Sequence, residues 1–325
     1  MQNASAPEHG HTAPAAYSTT DATAAVAIAL LANVPLALRG APGTGKTSLL
    51  RYMAHKFNWP IHSMTATIHD PTDLAGLPFL STNGSLESHT NRAPLEWAFA
   101  LANEAAKHEG NGLVFFDDVG YASTAMQNSL LQVVQERRVG DFQLPSGVRC
   151  AAALNPVTTT TGAHPLAAPL ANRMIHVTWT PNAESWANGF LSGWHVELPA
   201  LPEGWRHRYA ITRATVAAFI RERPSLLHNE PADEKGRGDP WPSGRTWDML
   251  TTALAACDAA GASATVRRIL ATGAVGEEAG LEYLTWERKE TLRRPEPQPS
   301  ATPPTGIPSR SQPTDVSIRL HRPLQ

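Results

Sequence analysis

Short apolar runs alternate with amphipathic stretches through the first 180 residues. Five runs predict strands: PLALR (35–39), PIHSMTAT (60–67), GLVFFDD (112–118), VRCAAALN (148–155) and MIHVTW (174–179). Amphipathic or alanine-rich stretches predict helices at 46–57, 93–108 and 125–137. GLVFFDD is continuously apolar before its acids, which is typical of a strand buried on both faces. Strands that alternate with helices predict a five-stranded, mostly parallel α/β sheet flanked by helices.

The strand pattern fades after residue 180. Helical periodicity returns in four stretches: 211–223, 245–260, 263–273 and 277–290. We expect these stretches to form a small all-α domain, joined to the first by a linker at 181–206. The Gly-, Pro- and acid-rich stretch 224–244 has no predicted structure. A loop of this length is either functional or disordered.

The two ends of the chain have no long apolar periodicity. Residues 1–20 resemble a flexible lead-in without the basic and apolar regions of a secretory signal. Residues 291–325 contain eight prolines and more arginines than acids, which predicts a disordered tail. An inert tail is favoured over one that docks a partner. The predicted organisation is therefore a disordered segment (1–20), a core (21–180), a linker (181–206), a helical lid (207–290) and a Pro-rich tail (291–325).

Composition narrows the class of protein. The 325 residues are 42% apolar and 17% charged, which excludes wholesale disorder. A net charge of −2 argues against an extended nucleic-acid or membrane footprint. Two cysteines, Cys150 and Cys257, cannot build a disulfide framework or a cysteine-based metal site, and they favour a reducing, cytoplasmic setting. The longest uncharged stretch, 22–38, is interrupted by Asn33 and Pro35, so no membrane span is expected.

A glycine-rich turn follows the first predicted strand. GAPGTGKT (40–47) matches the pattern G-x-x-x-x-G-K-[ST], with a strand before it and a helix after it. Glycines allow backbone N–H groups to converge on phosphate oxygens, and the start of the helix adds partial positive charge. Lys46 would reach the β- and γ-phosphates, and Thr47 would place its hydroxyl on Mg²⁺. The predicted nucleotide-binding residues are Gly40, Ala41, Pro42, Gly43, Thr44, Gly45, Lys46, Thr47 and Ser48. The alternative is a glycine turn without a ligand.

Two adjacent acids end the third predicted strand. Enzymes with this loop need a carboxylate at the end of a second buried strand to hold Mg²⁺, and Asp117 fits that position. Asp118 is placed where a second acid could polarise an attacking water. The alternative is that both acids cap the helix that follows.

The loop, the strand LVFFDD and the following run MQNSLLQVVQERRVGDFQLPSGVRCAAALNP together resemble the AAA+ ATPases, and within them the MoxR group of the helix-2-insert type. The resemblance spans about residues 24–290. It implies a P-loop NTPase core with an all-α C-terminal lid, in which Asn155 is sensor 1, Arg173 an arginine finger acting on a neighbouring subunit, and Arg245 sensor 2. The alternatives are a turn asparagine, a surface ion pair and an ordinary basic residue at a helix start.

Other features of this group are present or altered. The run FLSTNGSLESHT (79–90) resembles an inserted hairpin on the pore side of the ring, with Asn83-Gly84 as its turn. Asp118 stands where the group usually has Glu. Its side chain is one methylene shorter, so its carboxylate lies about a bond length further back. A misplacement of about 1 Å can lower the rate roughly 100-fold. Gly120 and Tyr121 replace the group's usual Asn-Arg, which puts a standard subunit contact in doubt.

The sequence therefore supports two leading hypotheses. The first is a ring-forming Mg-ATP-dependent remodelling ATPase, a hexamer by resemblance, working as a chaperone, in some cases with a partner that carries a von Willebrand factor A (VWA) domain. The second is a nucleotide-gated binding module with negligible turnover, because of Asp118. A magnesium-chelatase-type subunit is a variant of the first. GTP use is disfavoured, because no N-K-x-D run follows the third strand.

Overall fold

A computed structural model of the chain describes residues 17–82, 88–156 and 162–293. Its strands, in chain order, are β1 (Leu36–Arg39), β2 (Ile61–Thr65), β3 (Leu77–Thr82), β4 (Ser88–Ala93), β5 (Gly112–Asp117), β6 (Arg138–Val139), β7 (Phe142–Gln143), β8 (Val148–Leu154) and β9 (Ile175–Thr178). The helices are α1 (Thr19–Leu31), α2 (Lys46–Lys56), α3 (Thr72–Ala75), α4 (Glu96–Ala106), α5 (Thr124–Glu136), α6 (Ala168–Ala171), α7 (Ala183–Ser192), α8 (His207–Glu222), α9 (Glu234–Arg237), α10 (Gly244–Ala259), α11 (Ala264–Val275) and α12 (Glu277–Arg293), with short 3₁₀ turns at Val119–Tyr121 and Pro224–Leu226.

The main sheet confirms the predicted fold class. Five parallel strands pair in the order β2-β5-β8-β1-β9. The central strand β8 is buried along its whole length, including Arg149. Because all five strands are parallel, their carboxyl ends meet at one edge of the sheet. The turns after β1, β5 and β8 therefore lie side by side there, which is where open α/β sheets bind ligands.

Two antiparallel hairpins form separate two-stranded sheets beside the main sheet. β3 pairs with β4 in the register Leu77↔Ala93 to Thr82↔Ser88, so the inserted hairpin expected from the sequence is present. Its proposed Asn83-Gly84 turn lies outside the described residues. The second hairpin joins β6 to β7, shortly before β8 begins.

Two hydrophobic clusters cover the two faces of the sheet. One face packs against α4, α5 and α6. The other carries α1 and α2 and continues without a break into α10 and α11. The C-terminal helices are thus anchored to the sheet through α1 and β9, with which α11 is in direct contact. None of the described helices combines the length and apolar character needed to cross a bilayer.

Several elements differ from the sequence expectations. α1 begins at Thr19, inside the segment expected to be disordered, where the Ser18 side chain caps it by accepting from the Asp21 N–H. α7 lies within the expected linker, and α9 lies in the 224–244 stretch that had no predicted structure. α12 extends to Arg293, three residues into the expected tail. Residues 1–16 and 294–325, which include most of both predicted disordered ends, lie outside the described residues.

Candidate functional site

The glycine-rich turn joins the end of β1 to the start of α2 at the carboxyl edge of the sheet. Gly43 and Gly45 have φ angles of 76° and 88°, in the left-handed region that favours glycine. Nothing lies within 4 Å of a Cβ added at either position, so backbone conformation rather than space requires glycine there. Gly40 is different, since its Cβ would lie 2.4 Å from the Trp179 carbonyl oxygen. The rim of the turn is open to solvent at Ala41, Pro42, Gly43, Gly45 and Ser48.

Lys46 lies beneath this turn and is only 7% exposed. Its Nζ donates to the Gly40 carbonyl at 2.7 Å, to the Ala41 carbonyl at 3.0 Å and to the Asn155 Oδ1 at 2.7 Å. Burial lowers the pKa of the ammonium group, while Asp117 and Asp118 act in the opposite direction. The contact with Asn155 joins two positions that are 109 residues apart in the sequence.

Thr47 and Asp117 form a second contact across the site. The Thr47 Oγ1 donates to the Asp117 Oδ2 at 2.7 Å. The other carboxylate oxygen of Asp117 accepts the Asp118 backbone N–H at 3.0 Å. A hydroxyl and a carboxylate that meet in this way fit Mg²⁺, which takes oxygen ligands and usually keeps waters and substrate phosphates around it. No group of three or more His, Cys, Asp or Glu that could hold a metal ion occurs in the described part of the chain, so a protein-only metal cage is not present there.

Asp118 adopts an unusual backbone conformation for a non-glycine residue. Its φ of 56° and ψ of 34° place it in the left-handed region, at the start of the turn Val119–Tyr121. The Asn155 Nδ2 lies 3.5 Å from the Asp118 Oδ1. Burial and the neighbouring Asp117 raise the pKa of the Asp118 carboxyl, while Lys46 and Asn155 oppose the shift. The raised pKa and the neighbouring amide suit this carboxylate to accept a proton from water.

Trp179 contacts the glycine-rich turn, and the sequence interpretation missed this. In the structure Trp179 is buried, and its indole Nε1 donates to the Thr44 carbonyl at 2.8 Å. The available sequence signal was its position immediately after β9, the strand that pairs with β1 at the edge where the turn begins.

The predicted arginine finger lies at the other edge of the sheet. Arg173 precedes β9, whose start pairs with the start of β1. The length of β1 alone separates this edge from the glycine-rich turn by about 13 Å. The Arg173 guanidinium donates to the Gln135 side chain near the end of α5 at 2.5 Å and to the Pro169 carbonyl at 2.6 Å. Arg173 is therefore directed away from the Lys46 of its own chain.

Arg245 accompanies Arg173 at that edge. It lies in the first turn of α10, which Ser243 caps, and the Ser243 Oγ donates to the Asn172 Oδ1 at 2.7 Å. Partial burial lowers the pKa of Arg173, and the positive charge of the nearby Arg245 lowers it further. The structure thus brings together the predicted Lys46, Thr47, Asp117, Asp118 and Asn155, and it groups the two arginines separately.

A cavity of about 190 Å³ lies between Asn155, which follows β8, and Arg39 at the end of β1. Part of its wall comes from the 224–244 stretch, through Lys235 and Asp239. Asp239 forms an ion pair with Arg39, the last residue of β1, and the Gly238 carbonyl accepts a further hydrogen bond from the same guanidinium. The stretch that had no predicted structure is thus fixed beside the carboxyl edge of the sheet.

Comparisons with known proteins found one family model and a number of solved structures. Residues 35–174 match the family model of the AAA domain (dynein-related subfamily). A solved structure named a "putative ATPase" from Cytophaga hutchinsonii is 17% identical, with 82% of this chain and 87% of that chain covered and a TM-score of 0.45. A full-length MCM homolog from Methanopyrus kandleri is 15% identical, with 79% of this chain and 59% of that chain covered and a TM-score of 0.40. No curated protein matches the sequence.

The strand order and the glycine-rich turn together define the fold class. The chain has a P-loop NTPase fold followed by a helical C-terminal part, and within it residues 35–174 match the AAA domain model. The expected α/β class, five-stranded parallel sheet and helical C-terminal region are confirmed. The finer resemblance to the MoxR group stays a prediction.

Proposed function

We propose that this chain binds Mg-ATP at the carboxyl edge of the sheet and hydrolyses it to ADP and phosphate. The observation that carries the proposal is the convergence of three separate segments on one point. Lys46 of the turn contacts Asn155 after β8 at 2.7 Å, and Thr47 contacts Asp117 at the end of β5 at 2.7 Å. These are the parts that phosphoryl transfer requires: a phosphate cradle, a metal carboxylate and a group to orient water.

Each residue has a role that its contacts support. The Lys46 ammonium group now satisfies two backbone carbonyls and would exchange them for phosphate oxygens. Thr47 and Asp117 would hold Mg²⁺, which neutralises charge on the phosphates when it is bound. Asp118 would accept the proton of the attacking water, and Asn155 would orient that water. The N–H groups at the start of α2 would face the anion.

The proposed biological form is a MoxR-like ring, with a hexamer as the expectation, which remodels or helps to mature a partner protein in the cytoplasm. The position of Arg173 at the amino edge of the sheet, away from Lys46, supports a ring, because its guanidinium could there act on the nucleotide of a neighbouring copy. Arginine suits this position because its planar fork spreads charge over the transferring phosphoryl oxygens. A partner with a VWA domain belongs to this proposal through the resemblance to the MoxR group.

Phosphate release from Mg-ATP tests the enzymatic proposal. We expect Lys46→Ala to abolish release, because it removes the cation beneath the turn. Lys56→Ala is the matched control, since Lys56 lies at the far end of the same helix and is exposed. Release that continues unchanged in Lys46→Ala, or that is absent from the wild type both alone and with its partner, would reject the proposal.

Asp118 favours a second candidate, a nucleotide-gated binding module with little turnover. Its carboxylate is one methylene shorter than that of the usual Glu, and the left-handed backbone fixes where it can reach. In this case ATP would control assembly and partner affinity without rapid hydrolysis.

Asp118→Glu separates the two candidates. A gain in turnover of roughly 100-fold, the size expected when a catalytic group moves by about 1 Å, would support the binding module. A wild-type rate in the ordinary enzyme range, about 1 s⁻¹ or above, would instead exclude it.

A further inference from the structure

We propose that Trp179 is a positioning residue for phosphate binding, through the peptide plane that joins Thr44 to Gly45. This inference rests on the proposed nucleotide function. A buried tryptophan outside the glycine-rich turn would thus determine the orientation of one N–H group inside the turn.

Trp179 contacts both ends of the turn. Its backbone N–H donates to the Arg39 carbonyl at 2.6 Å, which extends the pairing of β9 with β1 by one residue. Its carbonyl oxygen lies so close to Gly40 that a Cβ there would be 2.4 Å away. Its indole Nε1 then reaches the Thr44 carbonyl at 2.8 Å. The backbone of Trp179 therefore fixes the start of the turn, and its side chain fixes the later part.

The indole hydrogen bond determines the direction of an N–H group. A peptide unit is planar and trans, so the carbonyl of Thr44 and the N–H of Gly45 point in opposite directions. The indole is buried in the apolar cluster beneath the turn, so the Thr44 carbonyl is directed inward. The Gly45 N–H is consequently directed toward the open side, and it has no acceptor among the described residues.

The flanking residues make this hydrogen bond important. Gly43 and Gly45, on either side of Thr44, both have positive φ and no side chain to restrain them. Glycine populates positive and negative φ about equally, so the peptide could rotate without a restraint. The Thr44 Oγ1 adds a second restraint by donating to the Ala41 carbonyl at 2.8 Å. A turn that is oriented before binding loses less entropy when phosphate binds.

The test compares two tryptophans that make the same kind of hydrogen bond. Trp247 is also buried, and its Nε1 donates to the Leu226 carbonyl at 2.8 Å, within the helical part. Trp179→Phe and Trp247→Phe each remove one indole N–H and keep an aromatic ring. Affinity for Mg-ADP is measured by calorimetry, and the folded state of each variant is checked by thermal unfolding.

We expect Trp179→Phe to raise the Kd for Mg-ADP roughly tenfold, the size of effect that one hydrogen bond supports. The Kd of Trp247→Phe for Mg-ADP should stay within about twofold of the wild-type value, although both variants lose a similar hydrogen bond. In steady-state hydrolysis, KM for ATP should rise while kcat changes little, because the Gly45 N–H would contact the bound phosphate in the ground state and the transition state alike.

An unchanged Kd in Trp179→Phe, or an equal loss in Trp247→Phe, would overturn the inference while leaving nucleotide binding established. A wild-type protein that binds no Mg-ADP would overturn the proposed function and this inference with it. If Trp179→Phe does not fold, Trp179→Met, which also lacks the donor and keeps an apolar side chain, takes its place under the same criteria.

Discussion

Asp118 combines an unfavourable backbone conformation with a perturbed carboxyl group. The left-handed region costs a residue of this type about 1 kcal/mol, so the surrounding structure has to stabilise it. The hydrogen bond from the Asp118 N–H to Asp117 and the turn that follows provide this stabilisation. Strain of this kind at the end of a buried strand is typical of functional sites, and here it directs a second carboxylate toward Asn155.

The raised pKa of Asp118 predicts how activity depends on pH. A general base works only when it is deprotonated, so kcat/KM, which reports the groups of the free enzyme, should fall as the pH drops through the pKa of Asp118. Because that pKa is raised, the acid limb of the profile should lie above the ordinary range for aspartate. The pH profile of hydrolysis checks this, and Asp118→Asn should lose both the limb and most of the activity. An acid limb at the ordinary aspartate value would contradict the assignment.

At this scale the sequence predicts residues that belong to local motifs. Lys46, Thr47 and Asp117 follow from spacing, because the chemistry of phosphate and Mg²⁺ binding fixes their order along the chain. The role of Trp179 was missed, because its hydrogen bond to Thr44 spans 135 residues and depends on the pairing of β9 with β1. Its residue type gives no indication of this contact, and its position immediately after β9 becomes informative only when the strand order is known.

At the scale of elements, a buried arginine joins α1 to the sheet. The Arg149 guanidinium on β8 donates to the Leu30 carbonyl at 3.0 Å and to the Asn111 side chain at 2.6 Å. It also stacks 3.8 Å above the ring of Trp59. Burial lowers the pKa of Arg149 to about 10, so the group stays charged at neutral pH.

Arg149→Met should lower the free energy of unfolding by about 3 kcal/mol, because it removes several hydrogen bonds and a cation–π contact from a buried site. Urea unfolding measures the change. Arg51→Met on the exposed surface of α2 is the control, and it should change stability by less than about 0.5 kcal/mol. Equal effects of the two substitutions would show that Arg149 does not anchor α1.

The elements that the sequence missed share a physical reason. α1 is apolar on all sides and buried, so it lacks the amphipathic period by which helices are recognised. α7 has no buried residue, and it was assigned to a linker although Trp186 and Phe190 stack on its surface. The amphipathic helices and the apolar strands, whose periods are clear, were predicted within a few residues of their observed bounds.

At the scale of the whole molecule, the predicted catalytic parts lie at opposite edges of one sheet. Lys46 and Asn155 are at the carboxyl edge, and Arg173 and Arg245 are at the amino edge. Head-to-tail contacts between copies bring two different surfaces together, and they close into a ring when the rotation permits. Such an arrangement would complete each site with residues from a neighbour.

Mixing inactive variants tests this arrangement. Arg173→Ala and Lys46→Ala should each lose hydrolysis when alone. In an equal mixture, about a quarter of the contacts between copies would pair an intact turn with an intact arginine, so part of the activity should return. A third variant that carries both substitutions is the control and should restore nothing to either. Mixtures that remain inactive would argue that Arg173 has no role on a neighbouring copy.

The central claim is that the turn at residues 40–47 is a nucleotide site. Calorimetric titration with a non-hydrolysable ATP analogue and Mg²⁺ tests this claim most directly. This measurement does not depend on Asp118 or on turnover. We expect one nucleotide to bind per wild-type chain, with affinity lost in Lys46→Ala and kept in Lys56→Ala. A wild-type chain that binds no nucleotide, or a Lys46→Ala variant that binds as tightly as the wild type, would contradict the account.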